Sequence, residues 1–170
     1  LGNEVDTFHN YWLNLRDITS DLIPKKLIIN NEKIIENEFG NILHGMKNNS
    51  VGYNTFGEAY FSLIKKGCMK GWKCHKKMTL NLIVPNGEVI FFIYKNNPRN
   101  KSQKGYYIKI SEKLYSRFTV PPGFWVSFLG VSEEKNIILN IADLVHDPSE
   151  SFSETIDTSF MRLINKIFIS

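Results

Sequence analysis

Hydrophobic positions recur at helical spacing only near the two ends of the chain, and between them the pattern is short and strand-like. In residues 5 to 20, "VDTFHNYWLNLRDITS", Phe8, Tyr11, Trp12 and Leu15 fall on one helical face, and Pro24 ends the pattern. A short amphipathic helix is expected there. From Lys26 onward, runs rich in Ile, Phe and Tyr ("LIIN", "KIIEN", "NILHGM", "EAYFSLIKKG") alternate with Asn, Gly and Glu turn signals, which predicts strands. "TLNLIVPNGEVIFFIYK" places two β runs on either side of Pro85-Asn86-Gly87, where Asn-Gly supplies the positive φ of a tight hairpin turn. "NNPRNKSQKG" reads as a solvated polar loop, and "YYIKIS", "SRFTV", "WVSFLGV" and "NIILNIADLV" follow at the spacing of an antiparallel sandwich or barrel. Phe160, Leu163, Ile164 and Ile167 return to helical intervals between Thr158 and Phe168. The expected fold is all-β, a small barrel or jelly roll, with a helix at each end.

The length of 170 residues suits one domain spanning residues 1 to 170, and 42% hydrophobic with 13% aromatic residues supplies its core. Net charge is only +4, with Lys and Arg spread along the chain instead of forming a dense basic block. A nucleic-acid partner is therefore not expected, and a mild preference for anionic ligands is. Cys68 and Cys74 lie along one extended segment, too far apart for the Cα approach of about 7 Å that a disulfide requires. Reduced thiols point to a cytoplasmic home. The first residues lack the basic and apolar regions of a signal peptide, and no apolar run approaches the roughly 20 residues of a membrane span, so no membrane partner is expected.

The candidate chemistry centres on "KGWKCHKK", residues 70 to 77. On a strand, Lys73 and His75 share a face. Lys73 can serve as a protonated anchor for a phosphate or ligand oxygen, or as a base if burial and Lys70 depress its pKa. A histidine is the residue type suited to proton transfer near neutrality, which makes His75 a candidate, whereas Cys74 points away and reads as a small hydrophobe. Asn81 and Asn140 are amides inside apolar runs, so each needs either a structural network or a polar ligand. Trp72 reads as barrel filler and Trp125, beside Phe124, as a pocket rim. Asp143 is expected to cap the following turn, and His146-Asp147-Pro148 to be loop.

Four stretches carry a resemblance: "FGEAYFSLIKKGCMKGWKCH", "NLIVPNGEVIFFIY", "FTVPPGFWVSFLGVSEE" and "NIADLVHDPSES". In order and spacing they resemble the dTDP-4-dehydrorhamnose 3,5-epimerase group of cupins, over roughly residues 33 to 157. The resemblance implies a double-stranded β-helix, or jelly roll, with the ligand in its mouth. It further implies a cytoplasmic homodimer that acts on nucleotide-linked keto sugars on the way to surface polysaccharide.

Residue by residue, the family's Arg-Gly-x-His stretch reads Lys70-Gly71-Trp72-Lys73, so Lys70 keeps the phosphate-binding charge and Lys73 replaces the general base. Asn140 stands where the family has its tyrosine acid, and Asp157 where it has the aspartate that orients the histidine. His44 and Glu58 occupy positions that similar cupins fill with polar residues. Metal cupins ligate through His-x-His, Glu and a later His; here these become Lys73-Cys74-His75, Thr79 to Asn81, and Val126. One ligand is too few, so neither metal nor other cofactor is expected.

Two functions follow from this pattern. One is a metal-independent epimerase or isomerase for a nucleotide-linked 4-keto-6-deoxy sugar, with Lys70 on phosphate, Lys73 or His75 moving the proton, and Asn81 and Asn140 on sugar oxygens. The other is a non-catalytic cupin that binds the same class of ligand, as the replacements at Lys73 and Asn140 would allow.

Overall fold

The computed structural model describes residues 2–169, in which thirteen strands and two α-helices form a β-sandwich with a helical cover on one side. Helix α1 (Gly2–Tyr11) leads into strand β1 (Trp12–Asn14). Strands β2 (Ile28–Asn31), β3 (Ile34–Ile35), β4 (Ile42–Leu43) and β5 (Glu58–Ile64) precede β6 (Met69–His75), β7 (Leu80–Asn86) and β8 (Glu88–Tyr94). Then come β9 (Gly105–Ser111), β10 (Ser116–Val120), β11 (Trp125–Gly130), β12 (Asn136–Ala142) and β13 (Ser151–Ser153), and α2 (Thr158–Phe168) closes the chain.

A six-stranded sheet runs β1-β9-β8-β11-β6-β13, a five-stranded sheet β2-β10-β7-β12-β5, and β3 with β4 makes a separate pair. All pairings are antiparallel except β1 with β9. The all-β jelly roll with terminal helices is the architecture seen.

The main core fills the space between the sheets. Val89, Phe91 and Ile93 of β8 meet Leu82 and Val84 of β7 and Phe118 of β10 there. Burying each such side chain stabilises by roughly 1.5–3 kcal/mol. The other face of β8 presents Ile90, Phe92 and Tyr94 to a second cluster under the helices, with Phe8, Trp12, Trp72 and Ile164. Covering on both faces explains why β8 reads as an unbroken apolar run instead of an alternating one. In β12, by contrast, buried and half-buried residues alternate along the strand.

Two expectations are corrected. The first helix ends at Tyr11, not near residue 20, because Trp12 joins a strand beside β9. A side chain at Gly105 would come within 2.4 Å of the Trp12 ring, so this glycine admits the indole. Pro85-Asn86-Gly87 is not a hairpin: β7 and β8 belong to different sheets, and the turn carries the chain across the sandwich. Gly87 has φ +83°, and the Asn136 side chain accepts from the Glu88 backbone N–H just beyond it. The loop 95–104 is exposed but tied down, Arg99 to Glu154 at 3.0 Å and Lys101 to Asp157 at 2.8 Å. The α2 span agrees with the sequence pattern, and Asp157 begins it as N-cap.

Candidate functional site at the barrel mouth

One end of the sandwich collects the polar groups that the core does not use. Register places Lys73 opposite Val126, a residue of the inter-sheet core, so Lys73 also points between the sheets. His75, two residues on, shares that face and is buried. The antiparallel pairing of β13 with β6 sets Ser151 opposite His75, which brings Glu150 alongside.

The His75 Nδ1–H donates to Glu150 Oε2 at 2.7 Å, and Glu150 Oε1 accepts the backbone N–H groups of Lys77 and Met78 at 2.7 and 2.9 Å. Burial alone would push the Glu150 carboxyl up, but the bonds from His75, Lys77 and Met78 outweigh it and lower its pKa to about 2. An ionised carboxylate can only accept, which fixes the imidazole proton on Nδ1 and leaves Nε2 as the basic atom. Nε2 makes no hydrogen bond among the described residues.

Three further polar groups share the interior. The half-buried Lys73 ammonium forms no ion pair or hydrogen bond among the described residues. Asn140 pairs in register with Leu82 and Tyr60, and its face is therefore the inner one. Its Nδ2 donates to Tyr60 Oη at 3.0 Å, while its buried Oδ1 has no partner. Glu58, opposite Ala142, lies on this face and is half-buried. The Lys70 Nζ donates to the Leu63 carbonyl at 2.7 Å, spanning from β6 to β5. Three residues along each strand toward the mouth, about 10 Å, lie Lys73 and Tyr60.

Other candidates lie elsewhere. Asn81 pairs with Thr119 and Ile141 and so faces outward from the five-stranded sheet, opposite to Asn140. There its Oδ1 accepts from Arg117 at 2.7 Å and Thr119 at 2.6 Å, and its Nδ2 donates to the Gly52 carbonyl. The expectation that Asn81 and Asn140 hold one sugar is corrected by this alternation. Trp125 pairs with Cys74 and Tyr94 and belongs with Trp72 to the cluster under the helices, so it is not on the mouth's inner wall.

Asp157 does not orient a histidine. Its carboxylate accepts from Ser159 and Lys101, and these bonds hold its pKa well below the usual carboxylate range. His44 precedes Gly45, where an added Cβ would meet Ile83 and Ile141 on the outer side of the five-stranded sheet, and the His44 backbone carbonyl accepts from Tyr115 Oη. Asp143 caps no turn after it but accepts from the Thr79 N–H at 2.8 Å and from Asn54.

Glu150 and Tyr60 are the residues that sequence reasoning missed. Glu150 lies 75 positions from His75 in a run of turn residues, and only the β13–β6 pairing joins them. Tyr60 reads as one more aromatic in an apolar strand, and its partner, Asn140, is 80 positions away.

No group of three or more His, Cys, Asp or Glu able to hold a metal ion occurs among the described residues. Both cysteines are free, Cys68 exposed and Cys74 buried. No helix among the described residues is long and apolar enough to cross a membrane. A cavity of about 770 Å³ lies outside the barrel, under the helices, but the carboxylates that line it are ion-paired and no histidine is present there. The mouth is the region that combines a base with an unpaired cation.

No protein-family model and no curated protein matches the sequence. Solved structures do match its fold. A dTDP sugar isomerase from Desulfovibrio desulfuricans shares 24% identity at a TM-score of 0.72, over 81% of this chain and 88% of that one. A mutant of the 3,4-ketoisomerase QdtA from Thermoanaerobacterium thermosaccharolyticum, in complex with TDP-4-keto-6-deoxyglucose, shares 16% at 0.64, over 87% and 100%. The dTDP-6-deoxy-D-glucose-3,5-epimerase RmlC from Legionella pneumophila, in complex with dTDP-4-keto-L-rhamnose, shares 19% at 0.66, over 77% and 73%. The chain therefore has the fold of an RmlC-like cupin.

Proposed function

We propose that this protein is a metal-independent isomerase or epimerase of a nucleotide-linked 4-keto-6-deoxy sugar. The observation that carries the reading is the buried His75–Glu150 pair beside the unpaired Lys73 ammonium on the inner wall of the barrel. Its fold likeness to enzymes named for dTDP sugars supports the substrate class.

In the proposed reaction, His75 Nε2 takes the proton from the carbon beside the ketone, and the bonding electrons move onto the carbonyl oxygen. The enolate is stabilised by the Lys73 ammonium, which acts as a cation. The Tyr60 hydroxyl accepts from Asn140, so its own proton is free to donate to an adjacent ligand oxygen. The buried Asn140 Oδ1 accepts a sugar hydroxyl. Addition of a solvent proton to the same carbon on the face opposite His75, with the imidazolium giving its proton to water, inverts that centre; alternatively the hydroxyl proton of the deprotonated carbon passes to the enolate oxygen and the imidazolium returns its proton to the former carbonyl carbon, which moves the ketone by one position. Glu150 holds the tautomer and stabilises the imidazolium. Glu58 lines the sugar.

We place the chain in the cytoplasm, supplying sugars for surface polysaccharide, as a homodimer. The exposed Phe61 and Leu63 on the outward side of edge strand β5, next to half-buried Leu139 and Ile141 of β12, support self-association. A single molar mass of one chain at micromolar concentration in light scattering would remove the dimer.

Incubation with TDP-4-keto-6-deoxyglucose in D₂O tests the reaction. Deuterium at a carbon flanking the ketone is expected, and its loss in His75→Asn assigns the base. Binding without exchange would make the protein a non-catalytic sugar-nucleotide cupin, and absence of binding would remove both readings.

A further inference from the structure

The cavity of about 770 Å³ outside the barrel falls within the range of small-molecule sites, about 300–1,000 Å³. Its floor is made by Trp12, Trp72, Tyr94 and Phe160. Their ring faces are turned to one another, Trp12 lying 4.6 Å from Tyr94, 5.1 Å from Phe160 and 6.3 Å from Trp72 between centroids. Their edges therefore bear the polar function. Trp12, Trp72 and Tyr94 are buried as residues, and Trp12 Nε1, Trp72 Nε1 and Tyr94 Oη make no hydrogen bond among the described residues; none of the three is a fully buried unpartnered atom, so these donors keep an opening to solvent and to a ligand. Burial pushes the Tyr94 phenol up to about 12, which keeps it a donor at neutral pH.

The rim decides the charge of the ligand. Two cations, Arg99 and Lys101, face three carboxylates, Glu4, Glu154 and Asp157. Both cations are ion-paired to carboxylates of the same wall. Glu4 is paired in turn with Lys166, so a phosphate or carboxylate would find no free cation on this wall. An uncharged molecule with many oxygens on an apolar ring body would match both the ring-edge donors and the carboxylate acceptors.

We propose that this cavity is a second ligand site, separate from the barrel mouth, which binds an uncharged pyranose saccharide. The site lies between α1, the loop 95–104 and the start of α2, so the ion pairs that tie the loop also build its wall.

Saturation-transfer NMR on the full chain with methyl α-L-rhamnopyranoside and methyl α-D-glucopyranoside tests the site, with thymidine and TDP as separate arms. Transfer to the ring protons of at least one pyranoside is expected. Binding should weaken about fivefold in Tyr94→Phe, which removes one donor and leaves the packing, and disappear in Thr155→Trp, which fills the rim. Lys73→Met should leave pyranoside binding unchanged, whatever becomes of the reaction at the mouth. Transfer to neither pyranoside, or to thymidine or TDP alone, would overturn the site. So would pyranoside binding that survives both cavity variants, or that is lost in Lys73→Met.

Discussion

Asn81 and Asn140 are amides in adjacent strands of one sheet, and they have opposite fates. Asn81 sits outside in a network with Arg117, Thr119, Glu32 and the Gly52 carbonyl. Arg117 is fully buried, and its charge is balanced by Glu32 at 2.9 Å. Asn140 sits inside, gives one bond to a half-exposed tyrosine and leaves its Oδ1 without a partner. The first network uses polar groups to hold the sheet's cover in place, with the Arg117 Nη2 alone of that guanidinium's nitrogens left without a partner. The second leaves them unsatisfied, at a cost to the fold that a ligand can offset. A group that stabilises and a group that waits can thus differ by one step of strand alternation.

The contrast is broken most severely at Arg117. Arg117→Met leaves the Glu32 carboxylate and the Asn81 Oδ1 short of donors in a dry setting, and a loss of about 3–5 kcal/mol is expected. Urea unfolding should show the midpoint fall with little change in slope. A loss below about 1 kcal/mol would mean that the outer network is no more closed than the inner one.

Glu150 joins both kinds of group, since it anchors the 77–78 turn and also faces the site histidine. Glu150→Gln should destabilise by roughly 1–3 kcal/mol. It should also abolish deuterium exchange, because an amide N–H toward Nδ1 would drive the imidazole proton to Nε2. The pH dependence has a definite sign. The carboxyl pKa is lowered from an ordinary 4.5 to about 2, so its stabilising contribution is complete above about 4.5 and fades as pH falls toward 2. Acid titration of the parent should therefore steepen in that window, and the Gln variant should lose that part of the slope. Parallel curves would show that Glu150 is not held ionised by the fold.

Much of this architecture was legible in the sequence, because strand alternation and turn residues are local signals. α2 could be bounded from Phe160, Leu163, Ile164 and Ile167, and Lys73 and His75 could be placed on one face by spacing alone. Face relative to a partner strand was not legible. "TLNLIV" gives no sign of which side of β7 will be inner, since both sides are buried. Trp125 was misplaced for the same reason, and Glu150 and Tyr60 depend on pairings across 75 and 80 residues. Asp157 looked functional by its position in a family pattern, whereas its local sequence, Asp-Thr-Ser ahead of an apolar periodic run, is that of a helix cap.

Smaller effects are expected inside the mouth. Lys73→Met removes a half-buried ammonium with no counter-charge, so stability should stay level or rise by up to about 1 kcal/mol. Affinity for TDP-4-keto-6-deoxyglucose should fall about 10- to 100-fold, the worth of one charged hydrogen bond. Calorimetric binding beside a thermal melt separates the two readouts. A variant that loses stability in proportion to affinity would make Lys73 structural.

Tyr60→Phe sharpens the comparison most finely. The side chain is 43% exposed on an edge strand, so removing its hydroxyl should change stability by less than about 0.5 kcal/mol. The Asn140 Nδ2 loses an acceptor, but Tyr60 lies where water can take the place of its oxygen. If the phenol donates a proton to the enolate oxygen, deuterium exchange should slow by about 10² or more, in the range of general-acid effects. Ground-state affinity should hardly move, because the oxygen carries its charge only in the transition state. An unchanged exchange rate would leave Tyr60 as a wall residue and return the stabilisation of the enolate to Lys73 alone. A fall in affinity with exchange per bound complex unchanged would make the phenol a binding group for the sugar instead. The melt, silent in all three cases, is what distinguishes this side of the sheet from the Arg117 side.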